Sequence, residues 1–179
     1  MPPEFNETAI VLLAAGASER LGQPKQLLRF GHQTLLGKMA EVALSAHLGP
    51  VVAVLGAFYE KTVAALHGPG VEMVKNEDWA TGMGGSIACG VCHVQAQHPA
   101  AARVLILLCD QPFVTPELLT RLVEKQQSSG ALIVASSYGG TVGPPALFNQ
   151  QLFGELAALH GKQGAKVVIR NHLDSLAEV

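Results

Sequence analysis

The stretch whose reading decides the fold is Ile10-Val11-Leu12-Leu13-Ala14-Ala15-Gly16-Ala17-Ser18-Glu19-Arg20-Leu21-Gly22-Gln23-Pro24-Lys25. Its first four residues are all large and apolar, so no face of the segment is built for water. A short run of this kind, closed by small residues and glycine, reads as a strand buried on both faces of a parallel sheet. Ala14 to Ser18 then carry very little side-chain bulk. At Gly16 no Cβ stands between the backbone and a ligand, so N–H groups can approach a phosphate at the carboxyl end of the strand. Arg20 and Lys25 follow with permanent positive charge for the same anion. The stretch is neither G-x-G-x-x-G nor a P-loop, since Gly-Lys-Ser/Thr is absent. From the residues alone it reads either as a polyphosphate-binding loop or as a tight strand-to-helix turn bearing two solvated cations.

Outward from this stretch the same strand–helix alternation continues. Thr34 is a candidate N-cap for a helix whose apolar positions, Leu35, Leu36, Met39, Val42, Ala43 and Ala46, follow helical spacing. Residues 51–55 form a second β-branched apolar run, residues 58–66 a second helix stopped by Gly68-Pro69-Gly70, and residues 71–74 a third strand. This β-α-β-α-β order predicts a parallel sheet with right-handed crossovers. A helix over residues 87–97 and a strand over 104–108, the most apolar of all, come next. Thr115-Pro116-Glu117 has the form of an N-cap, a proline at N1 and an acidic first turn, opening a helix to about Gln127. A strand is expected over 131–136, then the Gly- and Pro-rich stretch 138–145. Asn149 caps a helix through Leu152, Phe153, Leu156 and Leu159. Gly161 to Gly164 break the chain before a short helix over 165–171 and a last strand within 173–179. No internal repeat or linker is visible. The chain is expected to form a single domain over residues 1–179, with 1–7 as a loose lead-in.

Composition narrows the function. Hydrophobic residues make up 49% of the 179 and charged residues 15%, so most elements should be well buried. The formal charge of −2 offers no basic surplus for nucleic acid, whereas a small anion needs only a local cationic pocket. No early segment has the form of a secretory signal, and no apolar run approaches the roughly 18 residues of a membrane span. A cytoplasmic location, with no membrane partner, is therefore expected. Cys89-Gly90-Val91-Cys92-His93 spells C-x-x-C-H, formally a haem-attachment motif. It falls inside an apparent helix and follows no export signal, so Cys89, Cys92 and Cys109 are read as packing thiols. The seven histidines are scattered and show no metal-ligand spacing.

Two further places can carry chemistry. Asp110, in Cys109-Asp110-Gln111-Pro112, stands at the exit of the most apolar strand, where ligands bind in open α/β sheets. An ionised Asp there suits Mg²⁺, which keeps most of its waters and bridges phosphate oxygens. The same residue also suits a plain turn ahead of Pro112. The other place is Asn76-x-x-Trp79-x-x-Gly82-Met83-x-x-Ser86. Backbone N–H groups at a helix start near Ser86 can receive an anion or a base edge, or Ser86 simply caps the helix. Trp79 is read as buried area.

L-A-A-G-A-S-E-R-L-G-Q-P-K resembles the signature L-A-A-G-x-S-x-R-x-G-x-x-K of the nucleotidyltransferase superfamily. C-D-Q-P and N-x-x-W-x-x-G-M-x-x-S resemble the molybdenum-cofactor cytidylyltransferase branch of it. The resemblance covers essentially the whole chain. It implies a three-layer α/β/α sandwich with a mostly parallel sheet, the Rossmann-like, GT-A-like fold of nucleotide-diphospho-sugar transferases. It implies that Arg20, Lys25 and Asp110 are catalytic: the two cations hold the triphosphate, and Asp110 holds Mg²⁺. Leu13, Ala14, Ala15, Gly16, Ser18, Gly82 and Ser86 complete the nucleotide site. The expected reaction moves CMP from CTP to molybdopterin and releases pyrophosphate, with a molybdenum hydroxylase as a possible recipient of the product. Ala15 resembles the cytosine-using branch; the guanine-using branch has L-A-G-G, where glycine leaves room for a purine. Two positions depart from the branch. Pro144 replaces the His of G-H-P-x-x-F, and Lys162 replaces the Asp of G-D-x-G-A-R/K. A cofactor-binding or delivery protein, and a nucleotidyltransferase for another phosphorylated acceptor, therefore stay open.

Overall fold

A computed structural model describes residues 7–18, 22–66 and 70–179. The strands are β1 (Thr8–Ala14), β2 (Arg29–Phe30), β3 (Gln33–Thr34), β4 (Val51–Leu55), β5 (Val71–Lys75), β6 (Arg103–Leu108), β7 (Ile133–Tyr138), β8 (Thr141–Asn149) and β9 (Leu176–Glu178). The helices are α1 (Leu35–Ser45), α2 (Tyr59–Ala65), α3 (Met83–Gln97), α4 (Pro116–Ser129), α5 (Phe153–Ala157) and α6 (Lys166–Asn171). Seven strands form one sheet of order β5-β4-β1-β6-β8-β7-β9. β5, β4, β1 and β6 pair in parallel, β8 runs against both of its neighbours, and β9 is parallel to β7.

β1 is buried along its whole length, as an unbroken apolar run between two parallel neighbours requires. Its side chains alternate. Ala9, Val11 and Leu13 face a layer holding Ile87 and Val91 of α3, Leu156 of α5 and Ile169 of α6. Ile10, Leu12 and Ala14 face the opposite layer with Met39 of α1 and Leu122 of α4. The three-layer α/β/α sandwich is therefore present. Helix starts follow the expected chemistry: Thr34 accepts from Gly37 N–H, and Thr115 caps α4 with Pro116 at its first position. Asn149 Oδ1 accepts from Gln151 N–H ahead of the 3-10 turn Gln150–Leu152 that leads into α5.

Three expectations change. The connection after Lys25 holds a small antiparallel pair, β2 with β3. Helix α3 begins at Met83, a full turn before the expected start, so Ser86 lies inside its first turns instead of capping it. The Gly- and Pro-rich stretch 138–145 contributes most of β8, which no periodicity announced. Gly139 and Gly140, at φ +56° and +75°, make the two-residue hairpin turn. Pro144 and Pro145 cannot donate to a ladder. The β7–β8 register shifts between Ala135 and Ser136, where the two prolines fall, and Ser136 Oγ donates to Pro145 O instead. Of the expected lead-in over residues 1–7, residues 1–6 lie outside the described residues, as does the Gly68-Pro69 part of the expected stop, while the Glu7 carbonyl accepts from Ala102 N–H at 2.9 Å.

Candidate active site

The carboxyl ends of β1 and β6 open side by side onto a cleft of ≈ 260 Å³. Its floor is the chain leaving β1: Ala14, Ala15 and Gly16. A buried glutamine shapes that floor. Gln26 lies in the 3-10 turn Lys25–Leu27 with no exposed surface, and its Nε2 donates to Ala14 O at 2.9 Å and to Gly16 O at 2.6 Å. Two carbonyls are thereby drawn inward. Ser18, in the left-handed region at φ +56°, accepts from Lys25 N–H at 3.1 Å and closes the base of the loop. Ser18 is not part of the cleft wall; its position is that of a loop clasp.

Lys25 and Asp110 meet across the cleft mouth, with Nζ 2.7 Å from Oδ2. Both side chains are more than a third exposed, at 37% and 38%, so the pair is open to exchange with ligands. Next to Asp110, the Cys109 thiol is buried and pushed up to about 12, first by desolvation and then by the Asp110 carboxylate. It stays protonated at neutral pH and is no nucleophile. Gln111 turns away from the cleft and donates from Nε2 to Pro144 O at 2.8 Å, tying the C-D-Q-P segment to β8.

The facing wall is the entry to α3. Gly82, Met83 and Ser86 line the cleft with Trp79. Trp79 sits against Gly56, where a Cβ would come within 2.5 Å of the Trp79 Cβ. Buried Asn76 donates from Nδ2 to Ser86 Oγ at 3.0 Å and accepts from Asp78 N–H at 3.1 Å, so it fixes both the approach to the helix and the serine. Gly82 has φ +135°, and any Cβ there would overlap the Gly161 carbonyl. The same carbonyl accepts from Gly84 N–H at 3.0 Å. The Gly161 turn is thus clamped onto the start of α3.

That clamp creates a second cavity of ≈ 510 Å³, which shares Met83 and Leu108 with the first. Tyr138, Pro144, Lys162, Lys166 and Arg170 line it. Lys162 therefore stands in the neighbouring cavity and not on the wall of the cleft holding Asp110. A larger depression, ≈ 660 Å³, lies between α1 and β5 and contains none of the candidate site residues expected from sequence.

The structure brings Leu13, Ala14, Ala15, Gly16, Lys25, Gly82, Ser86 and Asp110 to one cleft. Arg20 lies outside the described residues. Sequence reasoning missed Gln26, Met83 and Cys109 as wall or scaffold. For Gln26 a weak signal existed: a polar residue in a turn beside two leucines, next to a segment of small residues with carbonyls to satisfy.

Residues 10–176 match the family profile described as the MobA-like NTP transferase domain. The chain is 31% identical to a protein named nicotine blue oxidoreductase from Paenarthrobacter nicotinovorans, over 89% of this chain and 80% of that protein. It is also 31% identical to the purine catabolism protein PucB of Bacillus subtilis, over 90% of this chain and 80% of PucB. Among solved structures, a manganese complex of Rv0371c from Mycobacterium tuberculosis H37Rv superposes with a TM-score of 0.80 at 31% identity, over 96% of this chain and 86% of that one. The profile runs from β1 to β9 and takes in both cavities, and the chain belongs to the MobA-like NTP transferase family of nucleotidyltransferases.

Proposed function

We propose that the protein is a Mg²⁺-dependent nucleotidyltransferase that transfers CMP from CTP to the terminal phosphate of molybdopterin. The observation that carries this reading is the junction of two cavities at Met83 and Leu108, with the Lys25–Asp110 pair at the mouth of one and three cations along the other. A transfer between two bound molecules needs two such rooms with a shared wall.

The nucleotide occupies the cleft over Ala14 to Gly16. Ala15 narrows the floor relative to glycine, which favours a pyrimidine. The N-terminus of α3, a helix of 15 residues, directs its dipole and its first N–H groups at the phosphates. Lys25 exchanges Asp110 for the triphosphate, and Arg20 adds charge to the same group. Asp110 fits a hard divalent ion as a single carboxylate ligand among waters and phosphate oxygens, and Mg²⁺ bound there would neutralise charge on the transferring phosphoryl group. Lys162, Lys166 and Arg170 hold the acceptor phosphate in the second cavity. An acceptor oxygen attacks the α-phosphorus in line, the bond to the bridging oxygen of the β-phosphate breaks, and pyrophosphate leaves with the electron pair. Lys162 here serves the acceptor. Two other readings draw on the same cation-lined cavity: a different phosphorylated acceptor, or a protein that holds the cofactor and delivers it to a molybdenum hydroxylase.

The test is calorimetric titration with CTP, GTP and ATP in Mg²⁺ on wild type and Asp110→Asn, followed by pyrophosphate release with molybdopterin. The expected result is CTP binding, weakened in the variant, and turnover that falls on the order of 100- to 1,000-fold in Asp110→Asn. Preference for GTP would move the protein to a guanylyl-transferring reaction. Binding without pyrophosphate release would leave the delivery reading.

A further inference from the structure

α3 begins at the cleft and ends at a second cluster of side chains that the reaction does not use. Fourteen residue steps separate Met83 from Gln97, or about 20 Å of helix. At the far end stand His93, in the last turns of α3, and His98, its C-cap. Both face Glu72 on β5, the edge strand of the sheet. His93 Nε2 is 2.7 Å from Glu72 Oε2, and His98 Nε2 is 2.7 Å from Glu72 Oε1. The two imidazoles thus take one carboxylate oxygen each. The ligand atoms of all three side chains lie within 4.8 Å of one another.

The geometry points to a transition-metal site at Glu72, His93 and His98, suited to Zn²⁺ or Ni²⁺ and separate from the nucleotide cleft. Two imidazole nitrogens and a carboxylate are the donor set such ions prefer, and Mg²⁺, which favours oxygen donors, competes poorly for it. In a tetrahedral zinc site with bonds near 2 Å, ligand atoms stand about 3.3 Å apart. The present 2.7 Å contacts would open by about 0.6 Å, and the two imidazole nitrogens, now on different carboxylate oxygens, would draw in around one ion. The backbones that carry the ligands are already fixed. Glu72 pairs with Val52 in the sheet ladder. His93 is helical, and His98 donates its N–H to Val94 O at 2.8 Å while its carbonyl accepts from Ala101 N–H at 2.9 Å. The two rings stand 6.4 Å apart between centroids, at 61° to each other, with Glu72 reached by both. All three side chains remain partly exposed, so an ion can enter from solvent and keep water in an open coordination position. Bound there, it would staple the end of α3 to the sheet edge.

His93 and His98 do have the His-x₃₋₅-His spacing of zinc ligands, contrary to the expectation that no histidine shows one, but the glutamate that completes the set lies 21 residues before His93. Only the fold brings the edge strand beside the helix end.

The test is titration of the full chain with Zn²⁺ and, separately, Ni²⁺ in excess Mg²⁺, with the thermal midpoint recorded alongside. The variants are His93→Gln/His98→Gln, Glu72→Gln, Asp110→Asn and Cys89→Ser/Cys92→Ser. Expected is one zinc equivalent in wild type, with a raised midpoint. It should persist in the Asp110 and cysteine variants. In the two-histidine variant its affinity should drop by at least the roughly 10- to 100-fold that even outer partners of a metal are worth. A cooperative thermal transition of the metal-free two-histidine variant, with the secondary structure of wild type by circular dichroism, checks that it folds. The proposal is overturned if wild type binds no zinc, if the zinc equivalent survives loss of both histidines, or if it disappears with Asp110 or with the cysteines. Since these readouts do not involve turnover, they stand whatever the fate of the cytidylyl reading.

Discussion

Gln26 shows how one buried polar side chain can set the backbone of a cleft floor. Its amide takes both the Ala14 and Gly16 carbonyls. Without it, both carbonyls at the cleft floor lose this partner. Gln26→Leu keeps the volume and removes both donors. A buried acceptor left unpaired costs about 1–3 kcal/mol, so the loss of stability should be about 2–3 kcal/mol, with the second carbonyl partly reached by water. Urea unfolding would measure it, and nucleotide titration should show a parallel loss because the loop no longer holds its shape. Unchanged unfolding together with unchanged binding would show that the loop is set by its backbone alone. Lys25 and Asp110 are a different case. Their pairing at 2.7 Å contributes little to stability at this exposure, and both charged groups stay open to exchange with a ligand.

At the scale of elements, α3 links chemistry to packing. It lies so close to the sheet that a Cβ on Gly90 would come within 2.5 Å of Val11 Cγ1 and 2.9 Å of Val54 Cγ2. Gly90→Ala must push the helix away or distort two strands, and overpacking of this kind costs about 1–3 kcal/mol. Since the first turn of the same helix walls the cleft, nucleotide affinity should fall with stability. Gly154→Ala in α5 is the control, because nothing lies within 4 Å of its would-be Cβ. That variant should be neutral or gain about 0.4–1 kcal/mol from a less flexible unfolded chain. Thermal melts and nucleotide titrations of the two variants settle the point: equal behaviour would mean that α3 can shift on the sheet at no cost.

Across the whole molecule, the sheet is firmest where the site is anchored. β1 is paired in parallel on both sides, with β4 and β6, whereas β5 and β9 are edges. Amide hydrogen exchange without ligand should therefore be slowest in β1 and, among the seven strands of the main sheet, fastest in β9, which has three residues. Faster exchange in β1 than in β5 would contradict this ranking. Strand β1 is legible in the sequence because burial on both faces leaves an unbroken apolar run, and α1 and α4 because Thr34 and Thr115 are caps with strong local chemistry. The cleft residues of the first loop and Asp110 are legible for the same reason: each follows an apolar strand at the end where open α/β sheets receive ligands. β8 is hidden, since its prolines contradict strand preference and are tolerated only where the register shifts against β7. Sequence alone determined the alternation of strands and helices, the direction of the central sheet and the small-residue loop that ends β1, because burial and local hydrogen bonding act over neighbouring residues. Tertiary structure alone decided that Gln26 shapes the floor, that Lys25 meets Asp110, that Lys162 stands in the second cavity, and that Glu72 meets two histidines. Those contacts join residues far apart in the chain, and only the packing of the helices on the sheet determines their distance.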